Sequence, residues 1–183
     1  MFNNLFKKKA PSIKIIDKIA ISEKGKLQAL LAEWNRDQNA VFVFWFDDSL
    51  RQAQSFFASE GKEIPGLYTA RQAGTSHFEG RQVIFAEHYP LRSKEEQLYE
   101  KLRLQTVIVF SSLTEPLFKK FGADRIIRLM QQLDIPEDEL TEHAMISKSI
   151  RQAQEKIEKK IIVEQSAGSQ REWLERNLPG GNS

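Results

Sequence analysis

Apolar residues fall into two kinds of run along this chain. Ala40–Phe46 (AVFVFWF) and Thr106–Phe110 (TVIVF) are short, continuous and dense in Val and Phe. Such runs predict strands covered on both faces, as in a parallel sheet. Shorter apolar runs at Leu67–Ala70 and Val83–Ala86 predict two more. The intervening stretches follow helical spacing. Leu27, Leu30, Leu31 and Trp34 recur at intervals of three, one and three within Lys24–Arg36, which predicts an amphipathic helix. A second helix is predicted over Ser49–Ser59, closed by Gly61 as a C-cap residue. A third opens at Ser93, with Glu96 three residues on as a capping box and Leu98, Tyr99 and Leu102 on its buried side. Thr114 reads as an N-cap with Pro116 in the first turn, and the helix after it runs towards Leu133.

Beyond Leu133 the pattern changes. Asp134–Thr141 is an acidic connector containing Pro136, and Met145–Val163 carries Ile146, Ile150, Ala153, Ile157 and Ile161 on one helical face. A polar Ser166–Ser169 break precedes a short helix with Trp173, Leu174 and Leu178. Strands alternating with helices imply a three-layer α/β fold with a mostly parallel sheet and a C-terminal helical extension. The organisation expected is a flexible basic and apolar segment at 1–12 and an α/β domain at 13–133. A long helix at 134–165 and a short helix with a disordered tail at 166–183 complete it.

Composition narrows the classes. At 183 residues and 40% hydrophobic, one domain with a real core is expected. Twenty-seven basic against 25 acidic side chains leave a net charge of +2, too small to imply a nucleic-acid partner. The absence of cysteine excludes disulfides, thiol catalysis and cysteine metal sites. No apolar run reaches the roughly 18–20 residues of a membrane span, and no apolar segment follows the first lysines as a secretory signal would require. A cytoplasmic location is the expectation. Met1, Phe2, Leu5 and Phe6 would share one helical face beside Lys7, Lys8 and Lys9. That face suits weak contact with an anionic membrane surface or a partner; the plainer reading is a frayed, solvated start.

Candidate chemistry is sparse. A phosphate-cradling loop needs Gly-x4-Gly-Lys-Ser/Thr. Gly25-Lys26 is followed by Leu27 and Gly61-Lys62 by Glu63, with Ala20 and Phe56 where the upstream glycines belong. Asp47 and Asp48 directly follow a buried strand, at the end where α/β sheets bind ligands, and two carboxylates there suit Mg²⁺. They equally suit a helix N-cap, where negative charge complements the dipole. His77 lies in a Gly/Ser/Thr loop, His88 follows Glu87 at a strand end, and no two of these and His143 have i, i+4 metal-site spacing. Glu87 and His88 as strand neighbours point to opposite faces, so surface or supporting roles are expected for the histidines. No metal or cofactor is expected.

Phe110–Lys160 reads FSSLTEPLFKKFGADRIIRLMQQLDIPEDELTEHAMISKSIRQAQEKIEKK. It resembles the part of the translocase ATPase SecA where the chain leaves the second RecA-like motor domain and enters the long scaffold helix. The anchors are Ser112-Leu113, Phe121-Gly122-Ala123-Asp124-Arg125, Glu142-His143 and Ala153-Gln154-Glu155-Lys156-Ile157-Glu158. The resemblance implies a RecA-like, helicase C-terminal-like fold. The family's Gly-Arg-Gly-Thr-Asp loop would fall near Leu67–Gly80, where only Ala73-Gly74-Thr75 remains. No glycine lies between Gly80 and Gly122 to build an arginine-finger segment, although Arg92 and Arg103 persist. An arginine finger contributes about 10³–10⁵ in rate. The expectation is therefore a pseudo-ATPase: a non-catalytic protein-binding domain linked to protein transport, with a translocation component or motor as partner. The alternative is a small α/β enzyme or switch holding Mg²⁺ or nucleotide at Asp47 and Asp48.

Overall fold

A computed structural model describes residues 13–178 apart from 121, 133, 135, 137 and 138. The membrane- or partner-contact candidates Met1, Phe2, Leu5, Phe6, Lys7, Lys8 and Lys9 lie outside the described residues. Among the described residues, no helix is long and apolar enough to cross a membrane.

Five strands form one all-parallel sheet: β1 (Lys14–Ala20), β2 (Val41–Phe44), β3 (Leu67–Thr69), β4 (Val83–Phe85) and β5 (Thr106–Ser112), in the order β1-β5-β4-β2-β3. Alternation divides the core cleanly. Phe42, Phe44, Ile84 and Phe110 face one side, where α1 (Glu23–Arg36) and α2 (Asp47–Ser59) cover them with Leu27, Leu30, Ala53 and Phe57. Val41, Val43, Phe85, Val107 and Val109 face the other, under Phe78 of α3 (Thr75–Phe78) and Tyr99 of α4 (Arg92–Lys101). Burial on both faces is the physical reason AVFVFWF and TVIVF are unbroken rather than alternating runs.

β1 is the element the hydrophobic pattern does not announce. Its sequence KIIDKIA interrupts the isoleucines with charge, and as an edge strand paired only to β5 within the sheet it tolerates those charges. Beyond it, Ile19 forms an isolated antiparallel bridge to Thr141.

Neither the N-cap expected at Ser93 nor that expected at Thr114 forms, whereas a cap not expected does. α1 is capped by Ser22, whose hydroxyl accepts from Gly25 N at 3.0 Å. α4 begins at Arg92 after Leu91 with no side-chain cap, because the Ser93 hydroxyl is drawn to the Glu158 carboxylate and Glu96 pairs with Arg92. Thr114 does not cap either; its hydroxyl meets Ser112 Oγ at 3.0 Å and Glu115 takes the N-cap position. The single helix expected after it is two, α5 (Pro116–Lys119) and α6 (Ala123–Gln132), separated near Gly122, whose φ of +84° no α-helix accommodates. α7 (Ala144–Glu158) buries Ile150, Ala153 and Ile157, so its apolar stripe is spent on its own fold. α8 (Gln170–Asn177) packs Trp173 and Leu174 against Phe46, Leu91 and Leu117.

Candidate functional site

The strand order fixes where a ligand crevice would form. The connection leaving β2 runs outward to β3, whereas the one leaving β4 runs to β5 on its other side. Adjacent strands whose exits diverge open a crevice at their carboxyl ends, the ligand position of open α/β sheets. Here Glu87 bridges that crevice from within, leaving an open cleft on either side. Glu87, just past β4, turns its carboxylate across to β2: Oε1 accepts from Trp45 N at 2.9 Å and Phe46 N at 3.0 Å, and Oε2 from Ser49 Oγ at 2.7 Å. A carboxylate from a neighbouring strand thus supplies the acceptor at the start of α2. Asp47 and Asp48 do not cap it, because Phe46 holds the N-cap position and both aspartates lie in the first turn. There their charges still complement the helix dipole.

The two aspartates diverge. Asp47 receives Arg71 Nη2 at 2.5 Å and borders a cleft of about 240 Å³ beside Trp45, Tyr89 and Lys94. Asp48 accepts from Gln52 Nε2 at 2.8 Å and borders a separate cleft of about 320 Å³. Among the described residues, no group of three or more His, Asp or Glu side chains is arranged to hold a metal ion.

The second cleft lies over the carboxyl ends of β1, β5, β4 and β2 and is rich in acid. Lys26 of α1 is buried at its floor, with Nζ 2.9 Å from Glu115 Oε1 and 2.8 Å from Glu23 Oε1. Ser112 ties the two acids together, donating its N–H to Glu115 at 2.9 Å and its hydroxyl to Glu23 at 2.9 Å. Burial opposes the Lys26 charge, but the Glu115, Glu23 and Glu87 carboxylates outweigh it and hold the ammonium above its ordinary range. Burial pushes Glu87 up to about 7 despite the attraction of Lys26, and burial likewise raises Glu115. One ammonium facing three carboxylates cannot keep them all charged cheaply in a low dielectric.

The C-terminal segment closes over these strand ends. Gly168 O accepts from Asp48 N at 3.0 Å. Gln170 is 4% exposed and bridges α5 to the loop after β4: its Oε1 accepts from Leu117 N at 2.8 Å and its Nε2 donates to His88 O at 3.1 Å. Trp173 is fully buried beside Tyr89, and both it and Tyr89 donate to Glu164.

Of the two roles expected for the histidines, surface or supporting, His88 takes the supporting one. It is buried, at 2% exposed, rather than superficial. Nε2 lies 3.0 Å from Asp17 Oδ1 on β1 and Nδ1 2.9 Å from Glu95 Oε1 on α4. Glu95 also accepts from Tyr89 N at 2.8 Å and from Gln154 Nε2 of α7 at 2.9 Å. Burial disfavours the imidazolium, yet Glu95 and Asp17 raise His88 well above its usual range. Burial also works on Asp17, but the bond to His88 brings it below the usual carboxylate range. With a carboxylate on each nitrogen, the ring has no free lone pair with which to bind metal or accept a proton. It is a cationic rivet joining β1, β4 and α4. His77 stacks on Tyr68 with centroids 4.8 Å apart, and His143 caps α7 by accepting from Met145 N at 3.2 Å.

These features define an α/β domain with a parallel five-stranded sheet, layered by helices and covered at its carboxyl edge by its own C-terminal segment. No protein-family model matches the chain. It does contain a SecA-like region. It is 31% identical over 105 residues to the protein translocase subunit SecA of Christiangramia forsetii, covering 55% of this chain and 9% of that protein. With the SecA of Pelobacter propionicus the identity is 28% over 134 residues, 73% of this chain and 14% of the relative. With that of Acidithiobacillus ferrooxidans it is 37% over 83 residues, 43% and 9% respectively. The chain therefore matches only a small part, 9% to 14%, of the length of these relatives.

Proposed function

We propose that this chain is a non-catalytic, SecA-like protein-interaction domain that serves protein export. The observation that carries the reading is the state of the β2/β4 strand ends: Glu87 ties them together with its own carboxyl group, and Gln170 and Trp173 lie over them. The neighbouring open cleft sets Glu23, Asp48, Glu87 and Glu115 against Lys26 and Arg171. An acid-rich lining offers a triphosphate few donors, and neither Gly-Lys pair has the glycine spacing that cradles phosphate. The export connection comes from the likeness to protein translocase subunit SecA.

Isothermal titration with ATP and ADP in Mg²⁺ tests the catalytic half; no saturable heat and no phosphate release are expected. Hydrolysis by the pure protein that disappears in Asp48→Ala overturns it in favour of an enzyme or switch. Affinity capture of the native protein tests the other half, with a component of the translocation machinery as the expected co-purifying protein. Retrieval of none sets the export connection aside.

A further inference from the structure

The acidic cleft contains one acceptor that its own fold leaves unused. Glu115 is 5% exposed, and its Oε1 is engaged by Lys26 Nζ at 2.9 Å and Ser112 N at 2.9 Å. Its Oε2 is buried and has no hydrogen-bond partner among the described residues. A buried carboxylate oxygen without a donor costs about 1–3 kcal/mol or more, so it marks a place where a donor is missing. The surroundings favour a positive charge on that donor, since the acids Glu23, Asp48, Glu87 and Glu115 line the cleft and Lys26, one of its two cations, is already held by Glu23 and Glu115. A bare divalent ion is disfavoured, because Lys26 already occupies the near side of the same carboxylate. A delocalised or single positive charge with directional N–H groups meets both requirements. Glu115 lines the cleft, and the terminal torsion of a glutamate is soft, so its carboxylate can turn Oε2 towards an entering group.

We propose that the cleft over the carboxyl ends of β1, β5, β4 and β2 binds a cationic N–H donor, a guanidinium or primary ammonium, with Glu115 Oε2 as its principal acceptor. The site gives the interaction-domain reading a chemical preference, for a basic side chain, and rests on that reading only for the source of the cation. The free small cation and the arginine or lysine side chain of a polypeptide share this chemistry.

The test is an amide-resolved NMR titration of the full chain with N-acetyl-argininamide, using the uncharged N-acetyl-citrullinamide as its control. Saturable, salt-sensitive shifts at Ser112, Glu115 and Gln170 are expected with the first only. Glu115→Gln is expected to weaken binding about tenfold, and Asp48→Asn, at the exposed rim, about threefold. Asp48→Asn alone decides if Glu115→Gln fails to fold. An arginine-containing peptide that binds more tightly than the single residue identifies a polypeptide source, and equal affinity a free cation; both support the site. Absent shifts, equal shifts with citrulline, or binding indifferent to the variants overturn it. If translocation components are still captured by a protein that ignores argininamide, only this site falls.

Discussion

At the scale of single residues, Glu87 and His88 are chain neighbours that do opposite things. Glu87 crosses to β2 and faces the Lys26 cluster, while His88 turns to Asp17 and Glu95. Both have folded pKa values above their ordinary ones, and the linkage runs the same way for each. Glu87 takes up a proton on folding between its ordinary value of 4.5 and about 7, so its contribution is full below that window and lost as pH rises through it. Glu87→Gln stays neutral throughout. The parent should therefore lose stability relative to the variant between about pH 5 and about pH 7.5, as read from urea midpoints. A parent that gains on the variant over that range refutes the assignment. For His88 the stabilisation is full below 6.5 and is lost only as pH climbs towards its raised value. His88→Gln leaves Asp17 and Glu95 buried without their cation, and a loss of about 3–5 kcal/mol is expected at neutral pH. Retained stability would show that the rivet is dispensable.

At the scale of elements, α8 is held by few but specific contacts. Gln170→Ala removes the acceptor of Leu117 N and the donor to His88 O, which should cost about 1–3 kcal/mol. Trp173→Ala empties a fully buried ring position and should cost about 3–5 kcal/mol. Both variants should also speed tryptic cleavage at Arg171 and Arg176, because unseating α8 exposes that backbone. Cleavage at the parent's rate would mean that α8 does not depend on these anchors. The start of α2 carries a related lesson. Adjacent Asp47 and Asp48 suit a cap or a pair of Mg²⁺ ligands, but the acceptor comes from Glu87, about forty residues away in sequence.

At the scale of the whole molecule, α7 and α8 share cores with the α/β body. Ile150 joins Ile19 and Leu113, and Trp173 joins Phe46 and Leu117. A shared core couples its parts, so urea unfolding should show one transition, with near-ultraviolet and far-ultraviolet circular dichroism coincident. Separate transitions would mean that the C-terminal helices form an independent unit.

The parallel α/β plan was legible because Val- and Phe-rich runs such as AVFVFWF have no solvent-facing side to offer and must lie between two helical layers. α1 and α2 were legible for the same kind of reason, a periodic stripe with a single place to go. β1 was hidden, since its charge pattern makes sense only once Asp17 is seen against His88. The site was hidden too. Lys26 meets Glu115 across 89 positions and His88 meets Asp17 across 71. Local pattern is set by propensity and periodicity over a few turns, whereas the energy of a buried charge depends on which opposite charge the fold carries to it. Only the tertiary structure could make that choice.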